Sequence, residues 1–438
     1  MGRHFGSRGK RSPRGPAENG AERRVERCEV HILRWAHGGD GVAIPDAGPW
    51  AGRVTFVPGA VPGDRVVVEA VEVRERFVRA VVRETLVPSP ERRVAPCVVQ
   101  KRCGGCPWME GSVEVQQDSR RAIIHGELKK RLGATAPEDI EMRPTPAAFE
   151  YRQRLRLRVR SGRLGFNGRQ SHDFVAIDDC PIALPTLRQA LPDVAAAVRG
   201  IAEGRVTMLA GEDGVATWVE PADGKAFHVG QDSVSVNFGG VVQRLVPEAF
   251  AQANAAVVAQ ILADIEMLAR DSIDATATTT EKPLAAELFA GSGTLTTALW
   301  RAGFEVDAWE VAEAAYPGFV ATREAAGLPD DAGHWASCDL LAAGIVTPPP
   351  RRPPDLVLLD PPRTGAWPLV PWLQHTPARR ILYVACDLAA GLRDVAALVT
   401  AGPGGSPARW RLHSVIAYDM FPHTGHQEVL FALDRAGG

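Results

Sequence analysis

The sequence predicts an α/β protein of several domains: a small N-terminal β-barrel, a central β-rich domain around a four-cysteine site, and a C-terminal open, mostly parallel sheet. Three observations predict it. Short β-branched runs punctuated by Gly and Pro fill residues 28–88 with no helical period. A tight cysteine triplet, Cys97, Cys103 and Cys106, is followed at a distance by Cys180. From about residue 246 helices and buried strands alternate, the texture of strand–helix–strand units.

At 438 residues the chain exceeds one ordinary core. Its 45% hydrophobic and 23% charged residues and formal net charge of −2 are those of a globular protein. No apolar run reaches the roughly 18 residues of a bilayer span, so no membrane partner is expected. Residues 1–27 hold eight Arg or Lys against three Glu among Gly, Pro and Ser, which predicts a disordered basic tail suited to polyanion contact. Seven cysteines without a secretory signal point to a cytoplasmic chain whose thiols serve as metal ligands or nucleophiles.

Within the barrel, Arg74, Arg76, Arg79 and Arg83 supply what a phosphate-tracking face needs. The stretch "CVVQKRCGGCPW" spaces Cys97, Cys103 and Cys106 as Cx5CxxC, and "DDCPI" adds Cys180. Three close thiolates and one distant one furnish four soft ligands to a tetrahedral zinc or an iron–sulfur cluster. Gly104 and Gly105 favour the cluster, because backbone amides approach sulfides closely only without a β-carbon. Next, "YRQRLRLRVR" sets Arg152, Arg154, Arg156, Arg158 and Arg160 at a period of two, an arginine stripe on one strand face. Such a row repels itself unless an anion faces it, and nucleic acid is the natural partner.

In the C-terminal part, the low-complexity stretch 271–283 precedes the strand of "LAAELFAGSGTL". That strand runs through Glu287 and Phe289 into a turn with Gly291 and Gly293, and a helix begins near Thr294. A glycine turn between strand and helix admits a nucleotide-like ligand to the backbone. The next strand ends in Glu310, placed to accept both hydroxyls of a ribose. Two further strand ends carry Asp339 and, in "PDLVLLDPPR", Asp360. A fifth strand, in "RRILYVACDLAAGL", ends in Cys386. Acids on four strand ends of one sheet edge are hard to attribute to packing.

Together with "FAQAN" around Gln252 and "DMFPHTGHQE" before and at Glu428, these stretches resemble the RNA uracil C5-methyltransferase family, over residues 28–438. The resemblance implies a class I, Rossmann-like methyltransferase domain behind an OB-like TRAM barrel and a central β-rich domain carrying a four-cysteine cluster. It divides the chain into a tail (1–27), a TRAM barrel (28–88), a central domain (89–245) and an S-adenosylmethionine-dependent methyltransferase domain (246–438). It implies a [4Fe–4S] cluster on Cys97, Cys103, Cys106 and Cys180. Cofactor contacts fall to Gln252, Phe289, Gly291, Gly293 and Thr294, with Glu310 at the ribose, Asp339 at the adenine side and Asp360 near the methionine and target base. Cys386 matches the nucleophile and Glu428 the base. The implied substrate is structured RNA, 23S rRNA favoured over tRNA, and a monomer is the simplest assembly.

The chemistry requires these groups. Uracil C5 is too weak a nucleophile to take a methyl group from a sulfonium, so thiolate addition at C6 must first turn C5 into an enolate-like carbon. A base must then remove the C5 proton before the thiol leaves. Arg363 stands where amino-group methyltransferases place a stacking aromatic, and the DPPR motif lacks the cysteine of cytosine C5 enzymes. Three positions depart from the family pattern: Asp387 and Leu388 replace Asn-Pro after the nucleophile, and Gly425 replaces a histidine. Asp387, if close and ionised, would oppose the thiolate. The alternatives are an inactive RNA-binding iron–sulfur protein and a methyltransferase for another base position.

Overall fold

The computed structural model describes residues 26–273, 281–342, 350–400 and 407–437. The basic tail expected over 1–27, save its last two residues, and most of the 271–283 stretch lie outside them.

In the N-terminal sheet the strands run in the order Arg27–His31, Arg65–Val73, Phe77–Val87, Val54–Val57, Gly41–Ala43 and Arg34–Trp35. The alternation of Arg65–Val73 turns Val66 and Val68 into a core with Val30, Trp50 and Val78. Buried Asp64 accepts the amides of Val61 and Ser89 and pairs with Arg92, fastening residues 88–93, where the chain leaves the barrel, to it. The basic face expected here is largely compensated: Arg74 pairs with Glu72, Arg79 with Glu72 and Asp40, and Arg83 with Glu69.

The central sheet is antiparallel, in the order Phe174–Ala176, Arg163–Asn167, Arg154–Arg160, Glu203–Gly211, Gly214–Pro221 and Phe227–Gly230. Leu155, Leu157 and Val159 face the helix Pro185–Ala197, which turns the intervening arginines outward. The stripe is less free than its period suggests. Arg152 lies before the strand and donates to Arg154 O, Arg154 donates to Pro247 O and Ala249 O, and Arg158 donates to Asn167 and His172 O. Arg156 and Arg160 are less engaged, and Arg160 is exposed.

The C-terminal sheet takes seven strands from the C-terminal part, numbered here β1 (Leu284–Leu288), β2 (Glu305–Glu310), β3 (Gly333–Ser337), β4 (Leu356–Leu359), β5 (Arg380–Ala385), β6 (Trp410–Tyr418) and β7 (Glu428–Arg435). Their order is β3-β2-β1-β4-β5-β7-β6. The first five are parallel, whereas β7 is antiparallel to both β5 and β6. Strand order reverses at β1, and the crevice beyond the carboxyl ends of β1 and β4 is where open α/β sheets bind ligands. Helices Ala255–Asp271 and Thr296–Arg301 cover one face, and Leu388–Val399 the other. Among the described residues no helix is long and apolar enough to cross a membrane.

Two segments from the stretch grouped as central, 89–245, belong to this sheet by packing. The helix Val113–Leu132 buries Ile124, Leu128 and Leu132 against the Leu388–Val399 side, and Glu141–Arg143 adds an eighth strand parallel to β6. The hairpin Val234–Phe238 and Val241–Leu245 packs on the opposite face. Their apolar residues complete a core that the C-terminal residues alone leave open.

The helix Val113–Leu132 carries Arg120, which pairs with Asp419 at 2.9 Å, each side chain only 1% exposed. Arg120 also donates to Phe421 O at 3.1 Å and Thr424 O at 3.0 Å. Removing one member of a buried pair strands the other's charge, at a cost of about 3–5 kcal/mol. Arg120→Ala is therefore expected to lower the unfolding free energy by that order in urea titrations, and adding Asp419→Ala to recover part of it.

Candidate active site

The carboxyl edge of the sheet gathers the candidate residues by simple alternation. On β5, Leu382 and Val384 face the core beneath helix Ala255–Asp271, and Cys386 continues their side of the sheet. By the same parity Asp360 follows Leu356 and Leu358, Glu287 follows Ala285, and Glu428 precedes Leu430 and Ala432. The register pairs Ala385 with Val429, so the next step sets Cys386 beside Glu428. Four ionisable groups thus share one face of one edge.

Their protonation follows from that crowding. The Cys386 thiol, half-buried and 3.9 Å from Pro361 O, is pushed up to about 12, first by burial and then by the charges of Glu428 and Asp360, with Arg363 pulling the other way. Burial raises the Asp360 carboxyl, and burial together with Asp360 raises Glu428 well above the ordinary carboxylate range. Glu287, buried and accepting a 2.6 Å hydrogen bond from Thr296, is pushed up to about 8 mainly by desolvation.

Asp387 has a local structural role. It is the N-cap of helix Leu388–Val399, and its Oδ1 accepts the Ala390 amide at 2.9 Å. Gly425 has an equally local reason: a β-carbon there would lie 2.4 Å from His37 O of the barrel and 3.2 Å from the Trp108 ring.

The glycine turn after β1 has the backbone such a cradle needs. Phe289, Gly291 and Gly293 have φ of 64°, 54° and 81°, a region costly for the phenylalanine. A β-carbon on Gly293 would meet the Phe319 ring at 2.9 Å. Glu310 is oriented by both oxygens, which accept the amides of Gly291 at 3.1 Å and Ala312 at 2.9 Å and keep lone pairs for a further donor. The helix begins at Thr296 rather than near Thr294, whose hydroxyl donates to Gln243 at 2.8 Å. Asp339 lies just beyond β3 and accepts the Leu341 amide. Gln252 is half-buried, its carbonyl held by Gln153, and nearby Asn254 both caps helix Ala255–Asp271 and reaches Met420 O at 3.4 Å.

Several structural contributors escaped the sequence reading. Gln243, Gln116 and Arg120 have no local signal, since their partners are distant in the chain. Trp108 had one, as the aromatic that closes "CGGCPW".

Cys97, Cys103, Cys106 and Cys180 line one cavity of about 590 Å³ together with Arg152 and Arg156. The Gly105 amide donates to Cys103 Sγ at 3.4 Å, and Gly104 has Gly168 O 2.9 Å from where its β-carbon would be. Burial and the neighbouring thiols raise Cys106, and burial takes Cys180 up to about 11. Among the described residues, no three His, Cys, Asp or Glu side chains are arranged to hold a metal ion.

Comparison with known proteins adds three findings. A TRAM domain model matches residues 21–82. The 23S rRNA (uracil(1939)-C(5))-methyltransferases RlmD of Halomonas elongata and Chromohalobacter salexigens are each 30% identical to the chain, over 93% of it and 90% and 89% of their own lengths. The crystal structure of Pyrococcus abyssi tRNA (uracil-54, C5)-methyltransferase with S-adenosyl-L-homocysteine aligns with a TM-score of 0.67 at 20% identity, covering 93% of this chain and 100% of that one.

A thiol raised to about 12 is almost entirely protonated at neutral pH. Its lower thiolate fraction, partly offset by greater nucleophilicity, is expected to slow iodoacetamide alkylation of Cys386 roughly a hundredfold relative to an ordinary thiol. Peptide mapping across pH checks this: the rate should climb steadily above about pH 9, and Arg363→Gln should slow it further.

Proposed function

The chain belongs to the RNA uracil C5-methyltransferase family, and from that premise we propose that it methylates C5 of a uridine in 23S rRNA through a covalent bond between Cys386 and C6. It is an S-adenosylmethionine-dependent RNA methyltransferase with a TRAM domain. The observation that supports the covalent route is the register of β5 on β7, which sets Cys386 beside Glu428.

S-adenosylmethionine would be held by the turn of Gly291 and Gly293, where Gly291 has open space beside its backbone, with Glu310 as the acceptor for its ribose and Gln252, Phe289, Thr294, Asp339 and Asp360 as further contacts. That cofactor supplies an electrophilic methyl group. The Cys386 thiolate forms a bond to C6, and the electron pair of the C5–C6 double bond moves into the C4 carbonyl, making C5 nucleophilic. Once C5 carries the methyl group, the Glu428 carboxylate takes the C5 proton, the double bond reforms, and the C6–S bond breaks with its pair returning to Cys386. A base raised by burial is a stronger proton acceptor once ionised, and it must lose its own proton first. The rate therefore rises with pH to a point well above the usual carboxylate range.

The barrel (28–88) and central domain (89–245) would hold and unstack the RNA, at a cost of about a few kcal/mol for the flipped base. The methyltransferase domain (246–438) would do the chemistry. We propose a [4Fe–4S] cluster for Cys97, Cys103, Cys106 and Cys180: the four thiols line one cavity and the Gly105 amide donates to a sulfur, and since the side chains are not arranged around a metal ion as they stand, binding would have to draw them together. Bound there, it would cross-link the 97–106 loop to Cys180.

Labelled S-adenosylmethionine and unmodified 23S rRNA should yield 5-methyluridine at one site, with less or no transfer to tRNA. RNA bearing 5-fluorouridine should trap a protein–RNA adduct in the wild type and none in Cys386→Ser. No transfer to any RNA would defeat the enzymatic reading, and an adduct surviving in Cys386→Ser the assigned nucleophile. Protein purified without oxygen should carry roughly four iron and four acid-labile sulfide per chain; zinc without sulfide would replace the cluster assignment.

A further inference from the structure

We propose that Trp108 is a positioning residue for Glu428, transmitting the seating of the barrel and of the cysteine loop to the loop that delivers the base. The inference rests on Glu428 being that base.

Glu428 is the first residue of β7, and residues 419–427 bring the chain to it from the end of β6. The middle of that loop is held in an unfavourable shape: His423 has φ of 67°, left-handed backbone that a non-glycine residue adopts only when its surroundings impose it. Two residues impose it. Gln116 accepts the His423 amide at 2.7 Å and its own amide lies 3.1 Å from the His423 ring, while the Trp108 amide donates to His423 O at 2.9 Å.

The Trp108 side chain is fully buried and faces three separate parts of the molecule. Trp35 of the barrel stacks on it with centroids 4.7 Å apart and planes 10° from parallel. The Arg120 guanidinium lies 5.5 Å from its centroid. Its Cζ2 would be 3.2 Å from a β-carbon on Gly425, so the ring supports the loop three residues before Glu428. Cys106, two residues before Trp108, lines the four-cysteine cavity. A displacement at the barrel or the cysteine loop therefore reaches the base loop through one rigid ring. Main-chain bonds alone do not provide this, because the Trp108 amide would remain in any substitution of its side chain.

The order of steps makes the role measurable. Cys386 addition and methyl transfer precede proton removal, so a misplaced Glu428 leaves methylated RNA attached to Cys386. A shift of about 1 Å at a catalytic group costs on the order of a hundredfold in rate. Trp108→Ala should lower kcat by roughly ten- to a hundredfold, leave the KM for RNA and the binding of S-adenosylhomocysteine within about twofold, and accumulate a denaturant-resistant adduct on ordinary uridine RNA. Trp108→Phe, which keeps an aromatic ring in the stack, should restore most of the rate and remove most of the adduct. If Trp108→Ala does not fold, Trp35→Leu and Gly425→Ala disturb the same contact from the barrel and loop sides and are read identically.

Glu428→Gln is the control that separates the two readings. Absence of adduct in Glu428→Gln overturns Glu428 as the base and the coupling with it. Adduct in Glu428→Gln but none in folded variants of the Trp108 contact overturns the coupling alone. So does a parallel loss of adduct formation and cofactor binding in those variants, since that is what general loosening of the fold would produce.

Discussion

The site depends on one buried ion pair. Arg120 and Asp419 lie on elements that no sheet hydrogen bond joins, the helix Val113–Leu132 and the end of β6, and both are sealed from water. A pair of this kind adds little net stability over well-packed apolar residues, because desolvating two charges offsets their attraction. What it contributes is discrimination. The guanidinium finds Asp419 and the carbonyls of Phe421 and Thr424 together only when the helix docks at one height and one rotation. Any other docking leaves a charge buried without a partner. The helix is also where the chain passes from the cysteine loop to the sheet, so the pair joins the N-terminal half of the molecule to the loop that ends in Glu428.

The edge that this clamp completes is unusual in its charge. Cys386, Asp360, Glu287 and Glu428 are each raised by burial, and three of them also by one another's charge. Such a cluster resists ionisation as a group, because each proton lost raises the cost of the next. Arg363 offsets this for Cys386 and Glu428. A ligand carrying a positive sulfonium into the crevice would offset it further, favouring the thiolate when the methyl donor is present. The free protein keeps the Cys386 thiol protonated.

Much of this was legible because strand ends are local. Glu310, Asp360 and Cys386 each close a short apolar run whose pattern marks both the strand and its exit, and the open parallel sheet follows from those runs. The antiparallel entry of β7 between β5 and β6 is not local. It decides that Cys386 meets Glu428, and in the sequence only the family resemblance hinted at it. Grouping by chain order likewise put Val113–Leu132 with the cysteines, although its Ile124 and Leu128 find their core under Leu388–Val399. Charges were misjudged for a related reason. Arg74, Arg79 and Arg83 look like a free basic row until the barrel closes and brings Glu72 and Glu69 alongside. The Thr294 hydroxyl meets Gln243 from a hairpin the motif does not include, a contact without a local signal.

Two of the departures from the family pattern, Asp387 and Gly425, have close neighbours that account for them. An N-cap accepts Asp as well as Asn, and a carboxylate is further favoured there by the positive end of the helix. The Asp387 carboxyl thus caps helix Leu388–Val399 through the Ala390 amide, and Glu428 and Asp360 are charges that raise the Cys386 thiol. Gly425 is fixed from the other side. With His37 O 2.4 Å from its missing β-carbon, any larger residue would push the barrel loop off the 419–427 loop. The same barrel loop is fastened further along, where Gln170 donates to Asp40 and Arg169 to Gly39 O. A histidine at 425 would therefore require a different docking of the barrel, which makes the glycine and the seating of the barrel loop a matched pair in this chain.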